Sequence, residues 1–253
     1  PAMLVDDHNP DDLYASTLAE DFKRQPDMAA AWRNSSYASD PFDAQPGSQA
    51  VGAEFEQIVD RLCEGNASTV LYAGRARLLP DFIRGFGQGG QARCQKQITV
   101  VTGSDATAVR DNVQDSTRSA SQVTVVYAAS EDPVALGDRS TPGSPAFRQF
   151  AANFAGQFNP ADLDSGWAVM GHDAVLAASR AIRNAAKSVP RPTLVDVRAA
   201  LRQFNADSNP IPGASGEFWF DETTGDRVGP TPPVMKLSPE AAKPCLVGAA
   251  SCR

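Results

Sequence analysis

The chain has 253 residues, 42% hydrophobic and 21% charged, enough for one large or two smaller globular domains of ordinary soluble composition. A net charge of −7 argues against a nucleic-acid partner, since phosphate binding needs a basic face, and disfavours an anionic membrane surface. No apolar run approaches the roughly 20 residues of a membrane span.

The first residues, Pro1-Ala-Met-Leu-Val-Asp6, read as a strand and not as a signal peptide, and a core strand at the very start points to a segment of a longer chain. Met3–Asp6 is the first strand. Asp6 to Asp12 is a polar turn with helix-capping residues, and Tyr14 to Gln25 has helical spacing, with Leu13, Leu18, Ala19 and Phe22 on one face. A short strand falls within Ala29–Tyr37, and Ser39–Ser48 is a loop rich in Pro, Asp and Gly. Val51–Cys63 is an amphipathic helix that turns Val51, Phe55, Ile58, Val59 and Leu62 inward and stops at Gly65-Asn66. Thr69–Ala73 is a buried strand ending at Gly74-Arg75, followed by a helix over Leu79–Phe86. Ile98–Thr102, β-branched and apolar, is the next strand and ends at Gly103-Ser-Asp105.

These first 105 residues alternate strand and helix, which requires parallel pairing and right-handed crossovers. The fold class is therefore α/β, a Rossmann-like parallel sheet with helices on both faces. Val109–Ser121 is polar and reads as mobile. Val123–Ala128 is a strand and Ser130–Pro145 a long loop. Ala146–Phe158 is a helix whose Phe147, Phe150, Phe154 and Phe158 repeat at the spacing of a core stripe. Gly166–Lys187 is the longest helix, with Val169, Ala174, Leu176, Ala177, Ala181 and Ile182 to bury. Thr193 caps a helix to Phe204, Gly216–Asp226 is a strand and turn, and Pro233–Leu237 is a last edge strand.

Four cysteines, Cys63, Cys94, Cys245 and Cys252, fit no zinc spacing, and the two histidines add little to a metal site. Two disulfides, 63–94 and 245–252, are the simple reading and imply export; four buried thiols in a cytosolic protein are the alternative. Catalytic chemistry finds little support. His172 beside Asp173 on a helix reads as packing, no Gly-x-Ser-x-Gly elbow or P-loop occurs, and no cofactor is implied. Gly85-x-Gly87-x-x-Gly90 has the letters of a dinucleotide fingerprint but follows a helix, so it reads as a helix end. The remaining candidates share one sheet rim. Tyr14 opens a helix, Gly74 and Arg75 follow one strand, and Ser104 and Asp105 follow another. Arg75 can hold a carboxylate and Asp105 an ammonium, which together suit a zwitterion. The alternative is that Arg75 and Asp105 pair with each other or with solvent.

Several segments together resemble the periplasmic-binding-protein type I group, the substrate receptors of branched-chain amino acid-type ABC transporters. They are Asp11-Asp-Leu-Tyr-Ala-Ser-Thr-Leu-Ala-Glu-Asp-Phe22, Phe55–Leu62 followed by Val70-Leu-Tyr-Ala-Gly74, Ala146–Phe154, Gly171-His-Asp-Ala-Val175 and Gly216-Glu-Phe-Trp-Phe-Asp221. The Cys63/Cys94 pair is similar to that of actinobacterial members. The resemblance implies two Rossmann-like lobes around a ligand cleft. Residues 1–122 would form most of lobe 2, 123–228 the returning part of lobe 1, and 229–253 a crossover strand and tail. The N-terminal part of lobe 1 would precede Pro1, with room there for an export signal or lipoprotein anchor. Helices left without that part would expose an apolar face able to self-associate.

The implied function is an extracytoplasmic, non-enzymatic solute-binding protein that takes an amino acid or similar small polar ligand and delivers it to a membrane permease. A sensor domain of the same fold is the alternative. The ligand residues that the resemblance implies are Tyr14, Gly74, Arg75 and Asp105, with Asp105 on the ligand ammonium, and Ser104 joins them from the rim reading for its hydroxyl. The sequence departs from the family at Arg75, where a small or aromatic residue is usual for aliphatic amino acids, and at Asp105, which is shorter than the usual Glu.

Overall fold

A computed structural model describes residues 2–9, 12–25, 32–37, 49–87, 94–129, 145–205, 209–229, 232–240 and 244–248. The chain divides into two compact units, one of residues 1–129 with 234–253 and one of residues 130–233. The expected loops at 39–48 and 130–145 fall almost wholly outside the described residues.

The first unit is built on a seven-stranded sheet. Its strands in chain order are β1 (Ala2–Asp7), β2 (Trp32–Tyr37), β3 (Thr69–Ala73), β4 (Ile98–Thr102), β5 (Val123–Ala128), β9 (Val234–Leu237) and β10 (Cys245–Leu246). Across the sheet they run β10-β9-β5-β4-β3-β1-β2. The five from β2 to β5 are parallel, while β9 runs antiparallel to β5 and β10 antiparallel to β9. Two expectations change here. Val123–Tyr127 pairs residue by residue with β4, so the first unit closes after Ala129 rather than at 122. Val234–Leu237 is not the edge, because the two-residue β10 pairs beyond it.

Strand alternation sends successive side chains to opposite faces. On one face, Leu4, Leu71 and Ala73 pack with Ala19, Leu18 and Phe22 of α1 (Leu13–Lys23). Leu13 itself, expected on that face, points to solvent. On the other, Tyr72 stacks on Phe82 of α3 (Leu79–Arg84) at 5.5 Å, and Phe82 meets Phe55 of α2 (Gln49–Glu64) at 5.4 Å. Val51, Phe55, Ile58, Val59 and Leu62 of α2 are all buried, as their spacing predicts. Cys63 and Cys94 form a disulfide with Cα atoms 4.9 Å apart. Beside it, Lys96 Nζ donates to the Leu62 carbonyl at 2.7 Å and to the Gly65 carbonyl, filling acceptors that the end of α2 leaves open. Cys245 is also disulfide-bonded, and Cys252 lies outside the described residues. Gly85 and Gly87 close the turn after α3, as the helix-end reading expects, and Gly90 lies outside the described residues.

Residues 110–119, read from the sequence as mobile, are instead the helix α4 (Arg110–Ser119). Its polar side chains are used internally. The Gln114 amide donates to the Ser238 carbonyl at 2.8 Å, and the Thr117 hydroxyl donates to the Gln114 carbonyl at 2.8 Å.

The second unit contains α5 (Pro145–Ala155), α6 (Trp167–Ser188), α7 (Leu194–Leu201) and a small antiparallel sheet of β6 (Ile211–Gly213), β7 (Gly216–Phe220) and β8 (Arg227–Val228). Thr193 caps α7 in a capping box with Asp196. The buried stripe of α6 is Val169, Asp173, Ala177, Ala181 and Ala185. Ala174 and Ile182, expected inside, face outward; Ile182 is 49% exposed and Val175 69%. The register is set by Asp173, 1% exposed, whose carboxylate accepts from Ala214 N at 2.7 Å, Ser215 N at 3.0 Å and the Ser215 hydroxyl. A charge so placed fixes the β6–β7 turn to the helix. A Cβ at Gly213 would collide with that carboxylate. Phe147, Phe150 and Phe154 of α5 pack half-buried against Leu163, Val169 and Ala214, so the expected core stripe is only partly covered, and Phe158, beyond the helix, is exposed. No helix among the described residues is long and apolar enough to cross a membrane.

Candidate functional site

The strand order locates the place to look. From β1 the chain goes to β2 on one side and then returns past β1 to β3 on the other, so the connections diverge between β1 and β3. In an open parallel sheet this divergence leaves a crevice at the strands' carboxyl ends, where ligands bind. The segments after β1, β3 and β4 bring Asn9, Asp12, Arg75, Arg77, Asp105, Ala108 and Val109 around an open cleft of about 490 Å³ there.

Asp12 is the hub. As N-cap of α1 its Oδ1 accepts from Tyr14 N at 3.0 Å and Ala15 N at 3.2 Å. Its Oδ2 accepts from Arg75 Nε at 2.7 Å. Burial works to raise its pKa, but the Arg75 hydrogen bond, the two N–H donors and the guanidinium charge together hold it below the usual carboxylate value. In return the Asp12 hydrogen bond holds the Arg75 proton more tightly than usual. Arg75 lies over the Tyr14 ring, 4.9 Å from its centroid. The carboxylate and the ring thus hold the guanidinium at two points, yet the side chain is 41% exposed.

Asp105 follows β4. Its Oδ2 accepts from Ala76 N at 3.0 Å, and its own N–H donates to the Tyr14 hydroxyl at 3.4 Å. The Ser104 hydroxyl is also hydrogen-bonded to Tyr14, whose phenol is pushed above its ordinary pKa chiefly by burial. Gly103 permits this approach, since a Cβ there would collide with the Tyr14 hydroxyl. Below, the Thr102 hydroxyl donates to the Tyr72 carbonyl at 3.1 Å, tying the ends of β3 and β4 together. The rim thus presents a guanidinium edge and a carboxylate edge to the same open volume. That arrangement can bind both signs of charge on one small molecule.

A second groove, of about 370 Å³ on the second unit, is lined by Phe150, Phe154, Phe158 and His172 with three amide side chains. It offers one imidazole and no carboxylate or guanidinium. Among the described residues no cluster of acids, histidines and cysteines could hold a metal ion.

No protein-family model and no curated protein sequence matches the chain. Solved structures do. An ABC transporter substrate-binding protein from Desulfitobacterium hafniense in complex with Leu aligns with a TM-score of 0.55 at 18% identity, over 97% of this chain and 60% of its own. A branched-chain amino acid ABC transporter protein from Thermus thermophilus with bound valine aligns with a TM-score of 0.57 at 16% identity, over 99% and 61%. An extracellular ligand-binding receptor from Rhodopseudomonas palustris reaches 0.63 at 15% identity, over 97% and 62%. The chain carries the periplasmic-binding-protein type I fold. It spans about 60% of the length of these structures.

In this type I fold the rim residues read from the sequence separate into two groups. Arg75 and Asp105 line the cleft. Tyr14, Gly74 and Ser104 do not line it; Tyr14 and Ser104 stand behind it and orient the other two, and Gly74 is buried at the end of β3. Arg75 does not pair with Asp105, the alternative left open by the sequence, but with Asp12. Asn9, Asp12, Arg77, Ala108 and Val109 complete the lining and were not singled out as ligand residues. The one signal for Asp12 was its place as a helix cap in the polar turn after β1. Arg77 stood in the sequence only as the second basic residue after β3.

Proposed function

We propose that the protein is an exported solute-binding protein of an ABC-type transporter. It captures an amino acid or similar small polar ligand on the rim of its first sheet and hands it to a membrane permease, without catalysis. The observation that carries this reading is the fixed Arg75 guanidinium and the Asp105 carboxylate on one open cleft, at the divergence point of a sheet with the type I fold. Hinged closure over a ligand is the usual capture mode of periplasmic binding proteins. The disulfide, the acidic net charge and the ligands named for the Desulfitobacterium and Thermus neighbours support the same reading.

A thermal-shift screen of amino acids and small organic acids on the full-length protein tests it. A ligand at 100 times its dissociation constant should stabilise the protein by about 2.7 kcal/mol. Asp105→Asn keeps an oxygen for the Ala76 N–H and removes the charge. It should weaken any ammonium-bearing ligand by about tenfold, or about 1.4 kcal/mol. If no amino acid or small acid raises the melting temperature, the solute-binding reading fails; unchanged affinity in Asp105→Asn takes Asp105 out of the site.

A further inference from the structure

We infer that the ligand of the rim cleft is net anionic: a small molecule with one ammonium group and an acidic group beyond that of a neutral amino acid, of which a dicarboxylic amino acid is the simplest kind. This rests on the solute-binding reading above and narrows it to a substrate class.

The inference comes from which hydrogen-bonding capacity the protein has already used. Asp12 lines the cleft, but Tyr14 N, Ala15 N and Arg75 Nε occupy both its oxygens. It neutralises part of Arg75 and has little left to offer a ligand cation. Arg75 spends only Nε on that bond, and its two terminal nitrogens make no hydrogen bond among the described residues. The guanidinium carbon also lies 4.9 Å from the Tyr14 ring centroid, and the two contacts together hold the free edge in position. Arg77, exposed and lining the same cleft, has neither hydrogen bond nor ion pair among the described residues. Asp105 gives one oxygen to Ala76 N, and its other oxygen has no partner among the described residues.

The unspent groups are therefore two guanidinium ends and one carboxylate oxygen. A neutral zwitterion satisfies Asp105 and one arginine and leaves the second arginine to solvent. A molecule with one more carboxylate satisfies all three, and arginine is suited to hold each carboxylate through two parallel N–H donors. The apolar lining amounts to Ala108 and Val109, with no aromatic or long aliphatic side chain to receive a leucine-like group.

Isothermal titration of the full-length protein at low ionic strength with L-glutamate, L-aspartate, L-leucine and L-valine tests this. The acidic pair should bind at least about tenfold more tightly than the neutral pair, with the preference shrinking as salt rises. Glutarate, which lacks the ammonium, should bind more weakly than glutamate. Arg75→Met should remove about tenfold of the acidic preference but also unpairs Asp12. Arg77→Met, which breaks no internal bond among the described residues, should do the same with an unchanged melting temperature. Tighter binding of leucine or valine would overturn the inference and leave the solute-binding reading standing. An acidic preference untouched by both variants would also overturn it. Binding of none of these compounds would remove the inference and the reading together.

Discussion

Asp12 caps a helix with one oxygen and fixes an arginine with the other, and the two tasks can be separated by mutation. Asn caps about as well as Asp, so Asp12→Asn removes only the ion pair; with Arg75 41% exposed, that should cost no more than about 1 kcal/mol. Asp12→Ala loses the cap as well and should cost about 1 kcal/mol more. The pH dependence has a definite sign. Because the folded-state pKa lies below the ordinary 3.8, the contribution of Asp12 is complete above that value and is lost as pH falls through the folded-state pKa. Urea unfolding of both variants against pH checks this, and acid sensitivity equal to that of the parent in Asp12→Asn would contradict it. Asp6, whose pKa burial raises, works in the opposite direction, favouring the fold as pH falls toward its ordinary value. At this scale the sequence yielded Arg75 and Asp105, because a polar residue just after an apolar strand must sit on the rim. It did not yield their supports. Asp12 and Arg75 are 63 residues apart, and only the strand order brings them together.

Strongly patterned elements were legible in the sequence because a single buried face dictates them. The five apolar positions of α2 and the β-branched run of β4 are of this kind. α4 was not legible, since its inward positions are largely Gln, Ser and Thr satisfied by local and tail hydrogen bonds, which hydrophobic periodicity does not report. In α6 the inward stripe is Val169 and three alanines around one buried aspartate, so the larger Ile182 misled the reading of its face. The disulfide is a prediction at this scale. It closes a separation of 31 residues from the end of α2 to the approach to β4. In the chain-entropy model such a closure contributes about 3–4 kcal/mol. Cys63→Ser with Cys94→Ser should lower stability by about that amount in urea unfolding, and a loss under about 1 kcal/mol would mean that the reduced chain already holds these elements together.

For the whole molecule, the alternation of strands and helices announced a parallel sheet but left its order open, and the order β2-β1-β3-β4-β5 is what opens the crevice between β1 and β3. The second unit has its own core around Phe204, Ile211 and Phe218 and leaves Val175, Ile182, Leu194 and Val195 exposed. The first unit brings Arg75, Arg77 and Asp105 to one rim, which makes the ligand site a claim about place as well as chemistry. Hydrogen exchange of the full-length protein with and without a saturating mixture of the proteinogenic amino acids tests the place directly. The account predicts slowed exchange at the amides of residues 75–78 and 103–109, led by the Ala76 and Asp105 N–H groups that the rim already engages. Protection confined to the α5 groove around Phe150 and His172, or no protection at all, would contradict it.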